Sequence, residues 1–411
     1  MSERRNPFRR RLVVAAIPVA VAAAVLGGAA TGAPSATVTT ITVNTLPIAN
    51  ALPLDLGIQK GFFSAQGIEI KKNTLQSGND IVLALANNNG DIGYIGYTPA
   101  MIGRTQGIPI TVVAASETEG TSDADNWQNV VTRSSSIRTP ADLVGKTIAL
   151  NALKGVAEIV VRGALDKLGV DSSQVKYTVV PFPVMPTALA NGQVDAVHTP
   201  EPFMSQIVAA GGHIVLAPGP VLGKYFPNGC YCAREDWVRK NPGLVQRFRT
   251  AMNQSLVYAN SHPDEIRALL PAALRNIRLP TWSPLVDRVQ LLELAQLAKR
   301  YGAITTLPNM TKFVPSFVEG GRTLQATVGQ GSFLTLRLDG RIVTRLRAGK
   351  YTVAVADRST KDNFHLVGGS VNRATSVAKR QNATWILDLK KGAYRYSSDG
   401  ISKRKAVFRV A

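Results

Sequence analysis

The feature that most constrains this chain is a change of period that repeats from residue 36 to residue 315. β-Branched runs alternate with apolar residues at helical spacing, and this alternation predicts a largely parallel α/β sheet. Ala36 to Asn44 (ATVTTITVN) reads as the first strand. Ala51 to Lys60 carries apolar residues at helical spacing and stops at Gly61. Ile68-Glu69-Ile70 is a second strand, and Asp91 to Gly96 and Ile108 to Ala114 are the third and fourth. Between them, Ser77-Gly78-Asn79-Asp80 supplies N-cap candidates for a helix over Ile81 to Ala86. Thr98-Pro99 starts another helix, with proline where helices tolerate it.

A second α/β region is expected from Asn129 onward. Its strands are Val130 to Thr132, Lys146 to Leu150, Tyr177 to Pro181 and Asp195 to His198; its helices are Val156 to Leu168 and Pro186 to Asn191. Thr199-Pro200-Glu201-Pro202 is expected to interrupt the last strand and stiffen a crossing segment. Asn228 to Ala233 is then a strand that returns to the first region, followed by helices at Leu244 to Tyr258, Asp264 to Ala273 and Pro284 to Tyr301.

After Pro315 the period changes to two. Leu334 to Leu338, Tyr351 to Val355, Phe364 to Leu366, Thr384 to Leu389, Ala393 to Tyr396 and Val407 to Val410 alternate as short strands with Gly-rich turns, which predicts a β-sandwich. Charge marks the same boundary. The chain carries a formal +20, and residues 321–411 hold 18 Lys/Arg against 5 Asp/Glu, a net of +13. Residues 1–33 carry +4, which leaves the body of the chain near neutral. Five arginines, the apolar run Leu12 to Leu26 and small residues to Ala33 form the pattern of a cleavable export signal.

Three runs carry a resemblance: PLDLGIQKGFFSAQGIEI, SGNDIVLALANNNGDIGYIGYTPAMIGRTQGIPITVVAA and TPADLVGKTIAL. They resemble solute-binding proteins of ABC importers, in the nitrate, sulfonate, taurine and thiamine-precursor class. The resemblance spans about Val38 to Val314. It implies a two-lobed periplasmic-binding-protein fold of type II, with the solute held between lobes and passed to a membrane permease. The implied division is 1–33 signal peptide, 36–117 and 220–315 lobe one, 118–219 lobe two, 316–330 linker, and 331–411 β-module. The implied protein is an exported monomer without cofactor.

The tail resembles a cupredoxin-like sandwich through GKYTVAVADRSTKDNFHLVGGSVNRAT, TWILDLKKGAYRYSSDG and FRV. In copper-binding members the His of NFHL is a ligand, and His365 stands there. Ser398 occupies the place of the Cys, Ile401 roughly that of the second His, and Lys403 or Arg404 that of the Met. A blue-copper centre needs a thiolate and two imidazoles, so no copper is expected.

Helix N-termini attract anionic head groups through free N–H groups and the helix dipole. In open α/β sheets, ligands sit beyond the carboxyl ends of strands. Together with the resemblance, these rules select Ala49, Asn50, Ser77, Gly78, Asn79, Tyr97, Thr98, Ser116, Lys154, Gly155 and Glu201 as ligand contacts. Lys154 is either an anion partner or solvated. Glu201 is either a group favouring an amine-bearing solute or a structural carboxylate. Trp127, Phe182 and Tyr225 are either ring-stacking groups or core. Cys230 and Cys232, the only cysteines, are expected as free buried thiols, because a ring closed at i, i+2 strains the backbone. His198 and His213 are not spaced as a zinc pair. No G-x-S-x-G, H-E-x-x-H or P-loop is present, and the Cys-rich motif of thiamine-pyrimidine synthases is missing, so an enzyme is not expected. The basic tail is expected to meet anionic envelope polymer or lipid, and nucleic acid is not expected for an exported chain.

Overall fold

The computed structural model describes residues 38–411 apart from 316–317, 319–321, 330–333 and 339–340. The export signal and the Gly320-Gly321 linker signal lie outside the described residues. The first region runs β1 (Thr39–Thr45), α1 (Leu52–Gln59), β2 (Ile68–Thr74), α2 (Gly78–Ala86), β3 (Ile92–Gly96), α3 (Tyr97–Thr105) and β4 (Ile110–Ala115). β1 pairs in parallel with β2 and β3, and its Ile41 and Val43 side chains are fully buried. Every residue of β4 is buried, as expected for a strand covered on both faces.

The chain then makes a two-residue strand, β5 (Glu117–Thr118), and enters a second sheet. That region comprises β6 (Gln128–Thr132), β7 (Thr147–Leu150), α4 (Val156–Lys167), β8 (Lys176–Val179), α5 (Met185–Ala190), β9 (Ala196–Pro200), α6 (Phe203–Ala209) and β10 (His213–Leu216). The strand order is β10-β6-β9-β7-β8. The expected interruption at Thr199 does not occur, since β9 runs on through Pro200. Pro200 lies beyond the residues that pair with β7, so its missing N–H breaks no ladder on that side.

The return passes through α7 (Pro218–Leu222), β11 (Gly229–Arg234), α8 (Glu235–Lys240), α9 (Pro242–Ser261), α10 (Pro263–Ala268), β12 (Thr281–Trp282), α11 (Arg288–Arg300) and α12 (Met310–Phe313). β11 enters the first sheet, giving the order β2-β1-β3-β11-β4. It runs antiparallel to both β3 and β4, so the sheet is mixed rather than parallel. The cause is topological: β11 comes back from the second region at the carboxyl ends of β3 and β4, with Gly229 beside Gly96 and Cys230 beside Ala115. Cys230 and Cys232 share one buried face of β11 as free thiols, with sulfurs 3.4 Å apart. α9 buries Val245, Phe248, Met252 and Leu256.

The remaining strands are β13 (Arg322–Val328), β14 (Leu334–Leu338), β15 (Arg341–Ile342), β16 (Arg345–Leu346), β17 (Gly349–Asp357), β18 (His365–Gly368), β19 (Val371–Ala374), β20 (Gln381–Leu389), β21 (Gly392–Ser397) and β22 (Lys405–Val410). They form sheets ordered β15-β14-β13-β17-β20 and β16-β22-β21-β18-β19. Leu324, Leu336, Val353 and Leu389 from the first sheet share one buried cluster with Leu366, Tyr396 and Phe408 from the second, which makes a sandwich. Part of the stretch 316–330, expected as linker, is therefore the strand β13; Leu324, Ala326 and Val328 point inward at period two and pin it beside β17. β20 lies against α9, and the Ser283 and Thr352 hydroxyls meet at 3.3 Å in the buried contact. Among the described residues no helix is long and apolar enough to cross a membrane.

Candidate functional site

A cleft lies between the first two regions, holding about 570 Å3 of empty space with its open mouth included. Its enclosed part is about 60 Å3. From the first sheet's side it is lined by Asn50, Gly78, Asn79, Tyr94, Gly96 and Asn228. From the second it is lined by Trp127, Gln128, Asn151, Gly155, Phe182 and His198. Three helix starts converge there. Gly78 and Asn79 open α2, Gly96 is the residue before α3, and Gly155 caps α4 with Val156 and Ala157 behind it. The sequence sets up this arrangement locally: Ser77 accepts a hydrogen bond from the Asp80 N–H at 3.2 Å and fixes the entry to α2. Gly96 is required by proximity, because a Cβ there would collide with Val156 of α4.

Behind the lining sit two carboxylates. Glu117 and Glu119 are fully buried. Tyr94 Oη and Asn50 Nδ2 donate to Glu117 Oε1 at 2.8 and 3.0 Å, and Asn50 also donates to Tyr94 Oη. Asn228 Nδ2 donates to Glu119 Oε1 at 2.7 Å, and Gln128 Nε2 donates to the same oxygen. The Oε2 atom of each glutamate is buried without a partner. Burial pushes both carboxyls up, Glu119 to about 7, against the pull of the amide donors. His198 on β9 is 1% exposed, and neither ring nitrogen has a partner. Burial lowers its pKa to about 4, so the ring is neutral at ordinary pH.

Of the contacts expected from sequence, Asn50, Gly78, Asn79 and Gly155 line the cleft. Ser77 supports α2 from behind. Tyr97 is buried with its N–H donated to the Asn228 carbonyl at 3.0 Å. Thr98 and Ser116 are buried near this floor with unpartnered hydroxyls but do not line it. Ala49 gives its N–H to the Glu201 carbonyl at 3.0 Å, a tie between the two regions.

Two expected selectivity groups lie outside the cleft. Lys154 lines a groove that adjoins the cleft through Asn79 and Pro99, and its N–H donates to Glu158 Oε2 at 2.7 Å. Glu201 accepts from the Ser205 N–H and hydroxyl at 3.1 and 2.8 Å and from the Arg278 N–H at 3.1 Å. Its carboxylate is therefore saturated by local structure. Trp127 and Phe182 line the cleft; Tyr225 does not.

Sequence reasoning missed Glu117, Glu119, Gln128, His198 and Asn228. A usable signal was the Ser116-Glu117-Thr118-Glu119 run directly after the wholly apolar β4, at the strand end where ligands sit.

Comparison with known proteins agrees with this geometry. The model of NMT1/THI5 like proteins matches residues 49–266. The taurine-binding periplasmic protein of Escherichia coli (strain K12) is 26% identical over 206 residues, covering 49% of this chain and 61% of that protein. The nitrate/nitrite binding protein NrtA of Nostoc sp. (strain PCC 7120) is 25% identical over 240 residues, covering 54% of each. The chain thus spans 61% and 54% of the length of these relatives. The periplasmic aliphatic sulphonate binding protein SsuA from Escherichia coli superimposes with a TM-score of 0.56 at 16% identity, over 68% of this chain and 98% of that one. That likeness speaks to the fold alone, and it gives residues 38–315 the periplasmic-binding-protein architecture that their two sheets and cleft display. With the family model matching more than half of its residues, the chain belongs to the NMT1/THI5-like family.

Proposed function

We propose that this protein is an exported solute-binding receptor of an ABC importer, not an enzyme, and that it closes two lobes around a small organic solute. The observation that carries the reading is the cleft between the two sheets, on which three helix N-termini converge. Residues 38–117 and 220–315 serve as lobe one and 118–219 as lobe two, with ties such as Ala49 to Glu201 at the crossing. Asn50, Gly78, Asn79 and Gly155 are the proposed ligand contacts, with Ala49, Ser77, Tyr97, Thr98 and Ser116 as their support. The relatives' names make taurine, sulfonates and nitrate the first solutes to try, with pyrimidines beside them. A thermal-shift screen of these compounds tests the reading: a ligand at a hundred times its Kd adds about 2.7 kcal/mol of stability. Complete indifference to all of them defeats it.

A second reading concerns the sandwich, and the register of its outer sheet favours it. Arg345, Arg395, Lys405 and Arg409 are exposed on neighbouring strands, with Arg345 beside Arg409 and Arg409 beside Ala393. Such a face suits an anionic envelope polymer. Replacing the four by serine is expected to abolish salt-sensitive retention on anionic wall polymer. His365, at the ligand position of the cupredoxin-like resemblance, has its ring nitrogens bonded to Asp399 and Asn372 at 2.9 and 2.7 Å. Ser398 is likewise engaged, donating to Asp362 at 2.8 Å.

A further inference from the structure

The cleft holds polar groups of an unusual kind for a site that must grip a charged solute. Among the described residues that line it there is no lysine or arginine. Lys154 lines the adjoining groove, and the Arg278 guanidinium is spent on the Asp123 and Asn126 carbonyls. What favours negative charge is the set of three helix starts, and these supply partial charges that fade within a turn. What opposes it is the pair Glu117 and Glu119, one layer behind Asn50, Tyr94, Gln128 and Asn228. An anionic solute would lose its water, gain dipoles at one set of contacts, and meet at another two buried carboxyls whose ionised forms burial already disfavours.

The second observation is independent of charge. His198 is buried on β9, lines the cleft, and has neither ring nitrogen bonded to protein. A neutral imidazole offers one donor and one acceptor. Buried polar groups are nearly always satisfied, so an imidazole that lines a cleft with both nitrogens buried and unpaired is a position where a ligand can complete the pairing once the ring turns toward it. The carboxylate-linked amides around it have the same bias: their oxygens, and the floor behind them, favour N–H and O–H donors.

Resting on the receptor reading, we propose that this cleft selects a solute of no net charge that presents N–H or O–H donors, and that His198 is the side chain that reads it. A zwitterion fits, because its anionic end can take the helix starts while its cationic end faces the glutamate-backed amides. A neutral heterocycle or amide fits as well. A simple monoanion of the same size does not.

The test is competition in matched pairs, read by native mass spectrometry on the full chain: taurine against isethionate, uracil against orotate, and benzamide against benzoate. The expected result is retention of the uncharged or zwitterionic member of at least one pair, at least tenfold over its anionic partner. His198→Ala is expected to lose that binding at least tenfold, and His198→Asn, which keeps a donor and an acceptor, to recover part of it. Circular dichroism of both variants checks that they remain folded. Preference for an anionic member overturns the inference and leaves the receptor reading standing. Retention unchanged in His198→Ala removes the histidine from recognition. If none of the six is retained, the inference falls, while the wider thermal-shift screen decides the receptor reading separately.

Discussion

Among the described residues a buried polar cluster in the sandwich is closed and one at the cleft is open. In the sandwich, Thr375 Oγ1 donates to Asp357 Oδ2 at 2.6 Å and accepts from the Phe364 N–H at 2.8 Å. Ser398 Oγ and the Ser402 N–H both donate to Asp362 Oδ1 at 2.8 Å. Among the described residues, no buried side-chain atom of the sandwich is left without a partner. At the cleft, by contrast, Glu117, Glu119, Thr98, Ser116 and His198 all keep unpartnered atoms. The open cluster is also the more deeply buried of the two, so its unmet bonds are the costlier. A satisfied network holds a fold in one arrangement, whereas a partly satisfied one stores an unmet demand for hydrogen bonds. The contrast therefore sets a saturated structural network beside one with open bonding positions at the cleft.

The largest expected effect is on the closed side. Thr375→Val keeps the volume but strands the Asp357 oxygen and the Phe364 N–H, at a cost of about 3 kcal/mol. Calorimetry should show the sandwich transition falling by several degrees while solute binding stays the same. A neutral outcome would mean that the network is not structural, and the contrast would collapse.

The next effect lies on the open side and has the opposite sign. Glu119 is protonated more readily when folded, with its pKa raised by burial from 4.5 to about 7. Between these values the folded state binds more protons than the unfolded one, so stability falls as pH rises through the window. Glu119→Gln should remove that loss and stabilise the protein at pH 8 by about 2 kcal/mol, with little change at pH 4.5. His198 contributes the reverse slope. Its pKa is lowered by burial from 6.5 to about 4, so stability is lost as pH falls through that range. The two slopes overlap and partly cancel in the parent chain. His198→Asn should therefore expose the Glu119 slope, and Glu119→Gln the His198 slope, in denaturant titrations from pH 4.5 to 8. A third, smaller effect is geometric. Gly96→Ala places a methyl group against Val156 and is expected to weaken solute binding about tenfold while changing stability little, because the lobes can part to admit it.

The open cluster was the less legible of the two in sequence, for a physical reason. Helix starts are local, so Ser77-Gly78-Asn79 and Gly155 could be read directly as one wall of a cleft. The hydrophobic alternation that makes the longer sandwich strands is also local, whereas β13, expected within the linker 316–330, and the short strands β15, β16 and β19 were not read from it. Glu117 and Glu119 look like a solvated turn, because carboxylates are seldom buried. Their burial depends on Asn50, Tyr94, Gln128 and Asn228, brought together from four distant segments. The placement of Asn228 depends in turn on β11 entering the first sheet antiparallel, and no short window of residues encodes that direction. At Glu201 sequence left a ligand group and a structural carboxylate both open, and the bonds from Ser205 and Arg278 favour the structural alternative.

The smallest expected effect is the most pointed, because it concerns the one cation that sequence placed at the site. Lys154 has a left-handed backbone, φ 56°, and its side chain lines the neighbouring groove. What the cleft needs from this position is the turn that lets Gly155 begin α4, held by the bond from the Lys154 N–H to Glu158. Glycine keeps that N–H and adopts positive φ more readily than lysine. Lys154→Gly should therefore change solute affinity less than twofold and leave stability within about 0.5 kcal/mol or slightly raised. A calorimetric titration that found a fivefold loss would mean that the ammonium reaches the solute after all. The cleft would then contain a full positive charge, and Glu117 and Glu119 would be its counterions rather than the groups that turn anions away.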